Sequence, residues 1–136
     1  MTIKFLKLTG LALVFSMLGM NASAEEKKWS DLNAEVVSLY QENQLDDAVL
    51  AAKKALDVAE KTYGAESPEA VLSLNNLALI YKAQKKYDEA EPLYDRALLL
   101  SEKIAGPNSP DLAVTLNNLA ILYSAQGRFA KADQLS

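Results

Sequence analysis

Apolar positions recur at three-and-four spacing along most of the chain, the mark of helices with one buried face. Leu74, Leu77, Ala78 and Tyr81 fall within an arc of about 100° at 3.6 residues per turn. Leu116, Leu119, Ala120 and Tyr123 repeat that arc 42 residues later. Each arc follows a helix start, Ser67-Pro68-Glu69 and Ser109-Pro110-Asp111. There the serine caps, the proline tolerates the first helical position and the acid suits the helix dipole. Lys85-Lys86 and Gly127-Arg128 read as short turns. A second helix, over about Asp88 to Ala105, then carries Ala90, Leu93, Tyr94, Ala97 and Leu98, with Leu100 or Ser101, on one face. Gly106 ends it, being free to take the left-handed conformation. Pro92 falls near its start, where a missing backbone donor costs least.

The two stretches are one repeat. Shifting the chain by 42 places LSLNNLALIYKAQ (72–84) on VTLNNLAILYSAQ (114–126), and residues 56–94 match 98–136 at 16 of 39 positions. An earlier, weaker unit is visible. Ser30 reads as the cap of a helix through Leu32, Val36 and Tyr40, followed by a second helix with Ala48, Ala52, Ala55, Leu56 and Ala59 ending at Gly64. Tyr40 to Ala48 is one residue shorter than Tyr81 to Ala90, so this unit's turn is expected to have lost a residue. It also lacks the Asn-Asn pair, with Val36-Val37 set against Leu77-Ala78. The resulting division is repeat 1 over 30–66, repeat 2 over 67–108 and a truncated repeat 3 over 109–136.

Residues 1–24 form a different pattern. Lys4 and Lys7 precede an uncharged, mostly apolar run from Leu8 to Met20, and Ala22-Ser23-Ala24 supplies a small-x-small cleavage site. The run covers about 20 Å as a helix, short of the ~30 Å hydrocarbon core. A removable export signal is therefore expected, with a periplasmic or secreted product that keeps no stable membrane span. An uncleaved anchor is the other reading. Glu25 to Trp29 would follow as a polar tail.

The spacing Leu74-x-x-Leu77-Ala78-x-x-Tyr81, then Ala90-x-x-x-Tyr94-x-x-Ala97, resembles the tetratricopeptide signature, whose usual period is 34 residues. The longer period, with Leu-Asn-Asn-Leu-Ala and Glu-Ala-Glu-Pro-Leu-Tyr-x-Arg-Ala-Leu, resembles the kinesin light chain type in a bacterial exported setting. The resemblance covers nearly all of residues 30–136. It implies an all-α chain, an α-solenoid of about two and a half units, whose first helices line a concave groove for a peptide or protein segment.

Composition narrows the chemistry. The chain has no cysteine and no histidine, which removes disulfides, thiolate sites, cysteine nucleophiles and Ser-His-Asp arrangements. Losing Lys4 and Lys7 takes the net charge from −4 to −6, a poor match for nucleic acid or anionic lipid. The carboxylate pairs Asp46-Asp47 and Glu89/Glu91 fall at helix starts, where neighbours in sequence do not face one another. No phosphate loop, metal-ligand spacing or nucleophile elbow is present, so neither catalytic nor metal residues nor a cofactor are expected.

What remains is binding. Ala78, Ala90, Ala97, Ala120 and Ala132 are packing sites, and Leu74, Leu77, Leu116, Leu119, Tyr81, Tyr94 and Tyr123 fill the core. Asn75 and Asn117 point about 100° off the apolar arc, with Leu79 and Ile121 about 40° beyond. They are expected to form a row on the groove, Lys82 adding charge at its edge, because an amide can both donate to and accept from a peptide backbone. Asn76 and Asn118 are read as bonding neighbouring helices or loops. The short third unit leaves Leu116, Leu119, Tyr123 and Phe129 expected to be partly uncovered, which predicts association, either as a homo-oligomer through that end or within a longer array. Three functions stay open: a scaffold for an unidentified protein or peptide, a self-associating structural module, and a docking arm for an effector domain absent from this sequence.

Overall fold

A computed structural model describes residues 21–135, with side chains from Lys28 onward. Residues 1–20 of the expected export signal lie outside the described residues. Among the described residues there are six helices and no strand: α1 (Asn21–Gln41), α2 (Leu45–Tyr63), α3 (Pro68–Ala83), α4 (Tyr87–Ala105), α5 (Pro110–Ala125) and α6 (Phe129–Asp133). They form three antiparallel pairs stacked in chain order. None is long and apolar enough to cross a membrane.

Local chemistry sets the helix ends. The Ser67 hydroxyl accepts from the Ala70 N–H at 3.1 Å and donates to the Gly64 carbonyl at 2.7 Å, tying the cap to the preceding glycine turn. Ser109 accepts from Leu112 N–H at 3.0 Å in the equivalent place. Gly64 and Gly106 end α2 and α4 at φ of +99° and +81°, which a side chain would resist.

The first unit keeps full register, and this corrects two expectations. Asn43, Lys85 and Gly127, each 42 residues apart, all adopt positive φ of 58–74°. Each turn closes with the same 2.8 Å bond: Gln44 to the Leu39 carbonyl, Lys86 to that of Tyr81, Arg128 to that of Tyr123. Leu39, rather than Tyr40, therefore stands at the Tyr81 position, and no residue has been lost. Leu32, Asn33 and Val36 fall opposite Leu74, Asn75 and Ala78, so this unit does have the first asparagine of the pair. Glu35, not Val36, faces the Leu77 position.

The amino-terminal boundary also moves. Ser30 caps nothing, because α1 already runs from Asn21, and the expected tail at 25–29 is helical. Trp29 stacks edge-on against Tyr63 at 5.8 Å, and its indole N–H donates to Ser73 Oγ at 3.0 Å. An indole that spans two repeats holds this turn in the helix.

The core lies between the pairs. Ala48, Ala52, Ala55 and Ala59 on α2, and Ala90 and Ala97 on α4, are almost fully buried, allowing helix backbones to approach closely. Leu77 and Ile80 of α3 join the cluster that includes Val36 and Ala52. Leu119 and Leu122 of α5 meet Ala78, Ala90 and Tyr94 of the second repeat. Burying a leucine of this kind stabilises by roughly 1.5–3 kcal/mol. Two residues expected to be uncovered are thus covered. Leu119 and Tyr123 face the preceding repeat, and the Arg128 guanidinium lies 4.6 Å over the Tyr123 ring. Leu116 is half-buried and Phe129 is 64% exposed.

A candidate ligand groove on the first helices

The array curves with the first helices inside. The backbones of α1 and α3 approach each other, as do those of α3 and α5, whereas those of α2 and α4 stay apart. Arg96–Glu60 at 2.9 Å bridges α4 to α2, and Lys103–Glu66 ties α4 to the loop that follows α2.

With the corrected register, the inner surface resolves into rows at 42-residue spacing. Val37, Leu79 and Ile121 form one apolar row; Leu72 and Val114 begin a second on α3 and α5. Val37, Leu72, Val114 and Ile121 are exposed, although each is large and apolar. Between α1 and α3 lies a cavity of about 220 Å³ lined by Val36, Val37, Tyr40, Gln41, Asn76, Leu79 and Ile80. A second of about 120 Å³, between α3 and α5, is lined by Pro68, Val71, Leu72, Asn75, Asn76, Leu79, Asp111, Val114 and Asn118. Leu79 and Asn76 border both, so the two recesses form one broken trough.

The expected site residues separate in this frame. Leu79 is half-buried between the recesses, and Ile121 is exposed at the same level of α5. Lys82 is half-buried one turn past Leu79 on α3, where burial lowers its pKa, and it is not among the residues lining either recess. Asn75 borders the second recess but is also tied to the next repeat. Its side chain is 8% exposed and its amide donates to Thr115 Oγ1 of α5 at 3.0 Å, so it joins two repeats. Asn117, its counterpart, is exposed. Asn76 bonds the neighbouring helix as expected, donating to Asn33 Oδ1 at 2.8 Å, and its other face borders the trough.

Reasoning from sequence missed Val37, Leu72, Val114 and Tyr40. Val37 would have completed the row with Leu79 and Ile121 had α1 been aligned one residue differently. Two of the four paired acids serve the joints: Asp46 accepts from Gln84 at 2.7 Å, and Glu91 accepts from the Tyr123 hydroxyl at 3.2 Å and from Arg128 at 2.9 Å; Asp47 and Glu89 are exposed. No group of acids able to hold a metal occurs among the described residues.

Comparison with known proteins agrees with this architecture. The structure is similar to BtubC (BKLC) from P. vanneervenii, at TM-score 0.75 and 28% identity, over 93% of this chain and 50% of that one. It is also similar to the kinesin light chain-like repeat protein of Podosopora anserina, at TM-score 0.72 and 23% identity over 79% of this chain and 51% of that one. The tetratricopeptide domain of Arabidopsis FLU gives TM-score 0.72 and 17% identity over 82% of this chain and 90% of that one, a likeness of fold. The chain thus spans about half the length of the first two. No curated protein sequence matches it. The tetratricopeptide repeat family model matches residues 36–98 and 69–135. With its caps, turns and inward-facing first helices in 42-residue register, the chain belongs to the tetratricopeptide repeat family and has the kinesin light chain-like form of that fold.

Proposed function

We propose that this protein is an exported binding module that holds an apolar-faced segment of another protein along the first helices, and that it acts by binding and not by catalysis. Tetratricopeptide repeats are protein-interaction modules in general. The observation that carries the specific reading is the row Val37, Leu79 and Ile121. Three large apolar side chains at one repeat position line the inner surface, two of them exposed, and folding alone gives no reason to leave them in water. Asn76 and Asn118 beside the row offer both donors and acceptors to a peptide backbone. The trough is lined by one charged residue, Asp111, so it selects by shape and apolar contact, and Lys82, one turn past Leu79 on α3, would favour a partner with an acidic flank.

Export rests on the tripartite pattern of residues 1–24. The mature chain recovered from the envelope should have the intact mass that begins at Glu25; a product retaining Met1 in the membrane fraction overturns that part.

For the groove, the chain, a Leu79→Glu/Ile121→Glu variant and a Leu99→Glu control are used as baits on the native envelope fraction. Leu99 is an exposed apolar residue on α4, away from the trough. A stoichiometric partner held by the unaltered chain and the control, and lost from the groove variant with its melting temperature preserved, is the expected result. Equal capture by all three places binding elsewhere.

A further inference from the structure

The two recesses of the trough are staggered along the helices. On α3 the first is lined by Asn76, Leu79 and Ile80, the second by Pro68, Val71, Leu72 and Asn75, with Asn76 and Leu79 shared. The neighbouring helices repeat the offset. Val36 to Gln41 of α1 correspond to positions 78–83 of α3, whereas Asp111, Val114 and Asn118 of α5 correspond to positions 69, 72 and 76. The recess centres therefore lie about six residues, or about 9 Å, apart along the helices. Across the array they lie one helix-to-helix interval apart, about 8–10 Å. The line joining them is a diagonal of about 13 Å.

That distance discriminates between ligand backbones. An extended strand rises about 3.3 Å per residue and returns to one face every second residue, so residues i and i+4 stand about 13 Å apart on the same side. An α-helix returns to one face at i+7 and i+11, about 10.5 and 16.5 Å along, and matches neither. The saddle between the recesses gives an independent reason. Asn76 borders both, its amide nitrogen donates to Asn33, and its Oδ1 has no hydrogen bond among the described residues. A strand crossing there brings backbone N–H groups to that oxygen, whereas a helix uses its own internally.

Size and charge set the order along the diagonal. The first recess, about 220 Å³ and walled by Tyr40 and aliphatic side chains, suits Leu or Phe; the second, about 120 Å³, suits Val or Ala. Leu79 fills the saddle, so the residue above it must be small. Asp111 lines the second recess, and Lys82 stands on α3 at the level that Tyr40 holds on α1, beside the first.

We propose that the trough takes an extended segment with a large and a small apolar residue four positions apart and a small residue midway. An acidic residue lies beyond the large anchor and a basic one beyond the small anchor. This rests on the groove reading and narrows it from any apolar-faced segment to a strand of fixed spacing and charge order.

The probes are peptides blocked at both ends, so that no terminal charge takes part. The parent is Glu-Ser-Phe-Ser-Ala-Ser-Val-Ser-Lys, used with its reversed sequence; the tighter of the two sets the chain direction and serves as reference. Isotope-labelled protein is titrated to millimolar peptide and its backbone amides are followed by NMR. Saturable shifts at Val37, Leu79 and Val114 are expected. Deleting one serine between the anchors should weaken binding about tenfold or more, because one anchor then misses its recess. Exchanging Phe and Val should weaken it about fivefold or more by overfilling the smaller recess. An alanine-rich helical peptide with Phe and Val seven positions apart should bind no better than the shortened one. Asp111→Lys, at an exposed position, should weaken the reference about two- to fivefold, and a peptide with Glu in place of its Lys should restore the affinity. Equal affinity of the reference and shortened peptides, a tighter helical peptide, or no rescue by the exchanged charge overturns this inference, and with shifts still in the trough leaves the groove reading standing. Absence of trough shifts with every peptide overturns it too; the capture by the Leu79→Glu/Ile121→Glu variant then decides separately whether the groove reading falls.

Discussion

The amide of Asn75 donates to Thr115 Oγ1 at 3.0 Å, across forty residues of chain and between the first helices of two repeats. Both side chains are buried, and Thr115 passes the bond on to its own helix through the Asp111 carbonyl. The bond fixes the register of α3 against α5, because a slip of either helix would leave a buried amide without an acceptor. One repeat earlier Ser73 Oγ accepts from the Trp29 indole instead, although Trp29 stands at the Val71 position and Asn33 holds that of Asn75.

Asn75→Ala is accordingly expected to strike stability before binding. Deleting one partner of a buried hydrogen bond costs about 1–3 kcal/mol, and Thr115→Val, which strands the Asn75 amide, should cost a similar amount. The double variant should cost less than the sum of the two, by about 0.5–3 kcal/mol, in urea titrations followed by circular dichroism. Additive effects would show that the two side chains are not coupled. Asn117→Ala, at the exposed counterpart, should leave the transition unchanged.

Tyr94 supplies a pH-dependent prediction. Its ring is fully buried, its hydroxyl has no partner among the described residues, and burial, with Tyr40 nearby, pushes its pKa well above the usual tyrosine range. Burial raises Tyr123 too, helped by the adjacent carboxylates Glu91 and Asp95. In the unfolded chain these phenols ionise near pH 10, while the folded chain keeps them protonated. The folded state then holds more protons than the unfolded one, so their contribution is complete below about pH 10 and stability falls as the pH rises above it. Tyr94→Phe should raise the melting temperature at neutral pH, removing a stranded hydroxyl that costs about 1–3 kcal/mol. It should also flatten the alkaline decline. A lower melting temperature with an unchanged alkaline slope would refute both statements.

The three equivalent turns offer an internal comparison. Gly127 takes its positive φ without strain, whereas Lys85 takes the same conformation with a side chain. Lys85→Gly should stabilise by up to about 1 kcal/mol, and Gly127→Lys should destabilise by about 1–2 kcal/mol. Thermal melts of the two variants check the signs; two destabilisations would mean that the Lys85 side chain makes a contact worth more than its strain.

Sequence by itself determined the repeat, its period, and most helix ends. Those features are local: a serine before a proline caps, a glycine reverses the chain, and small residues at fixed spacing bury without a clash. It also placed Ala48, Ala90 and Ala132 on buried faces, because burial of a helix face shows as a period. Tertiary structure decided the rest. The register of α1 was hidden because Glu35 and Leu39 replace the signature's leucine and tyrosine, and only the shared turn geometry at Asn43, Lys85 and Gly127 reveals it. Trp29 looked like part of a polar tail until a second repeat supplied Ser73 as its acceptor. Asn75 and Asn117 are identical by local pattern, yet one is buried against Thr115 and the other is exposed. A helical wheel gives a side chain's direction and says nothing of what stands in that direction, which depends on the helix that packs there.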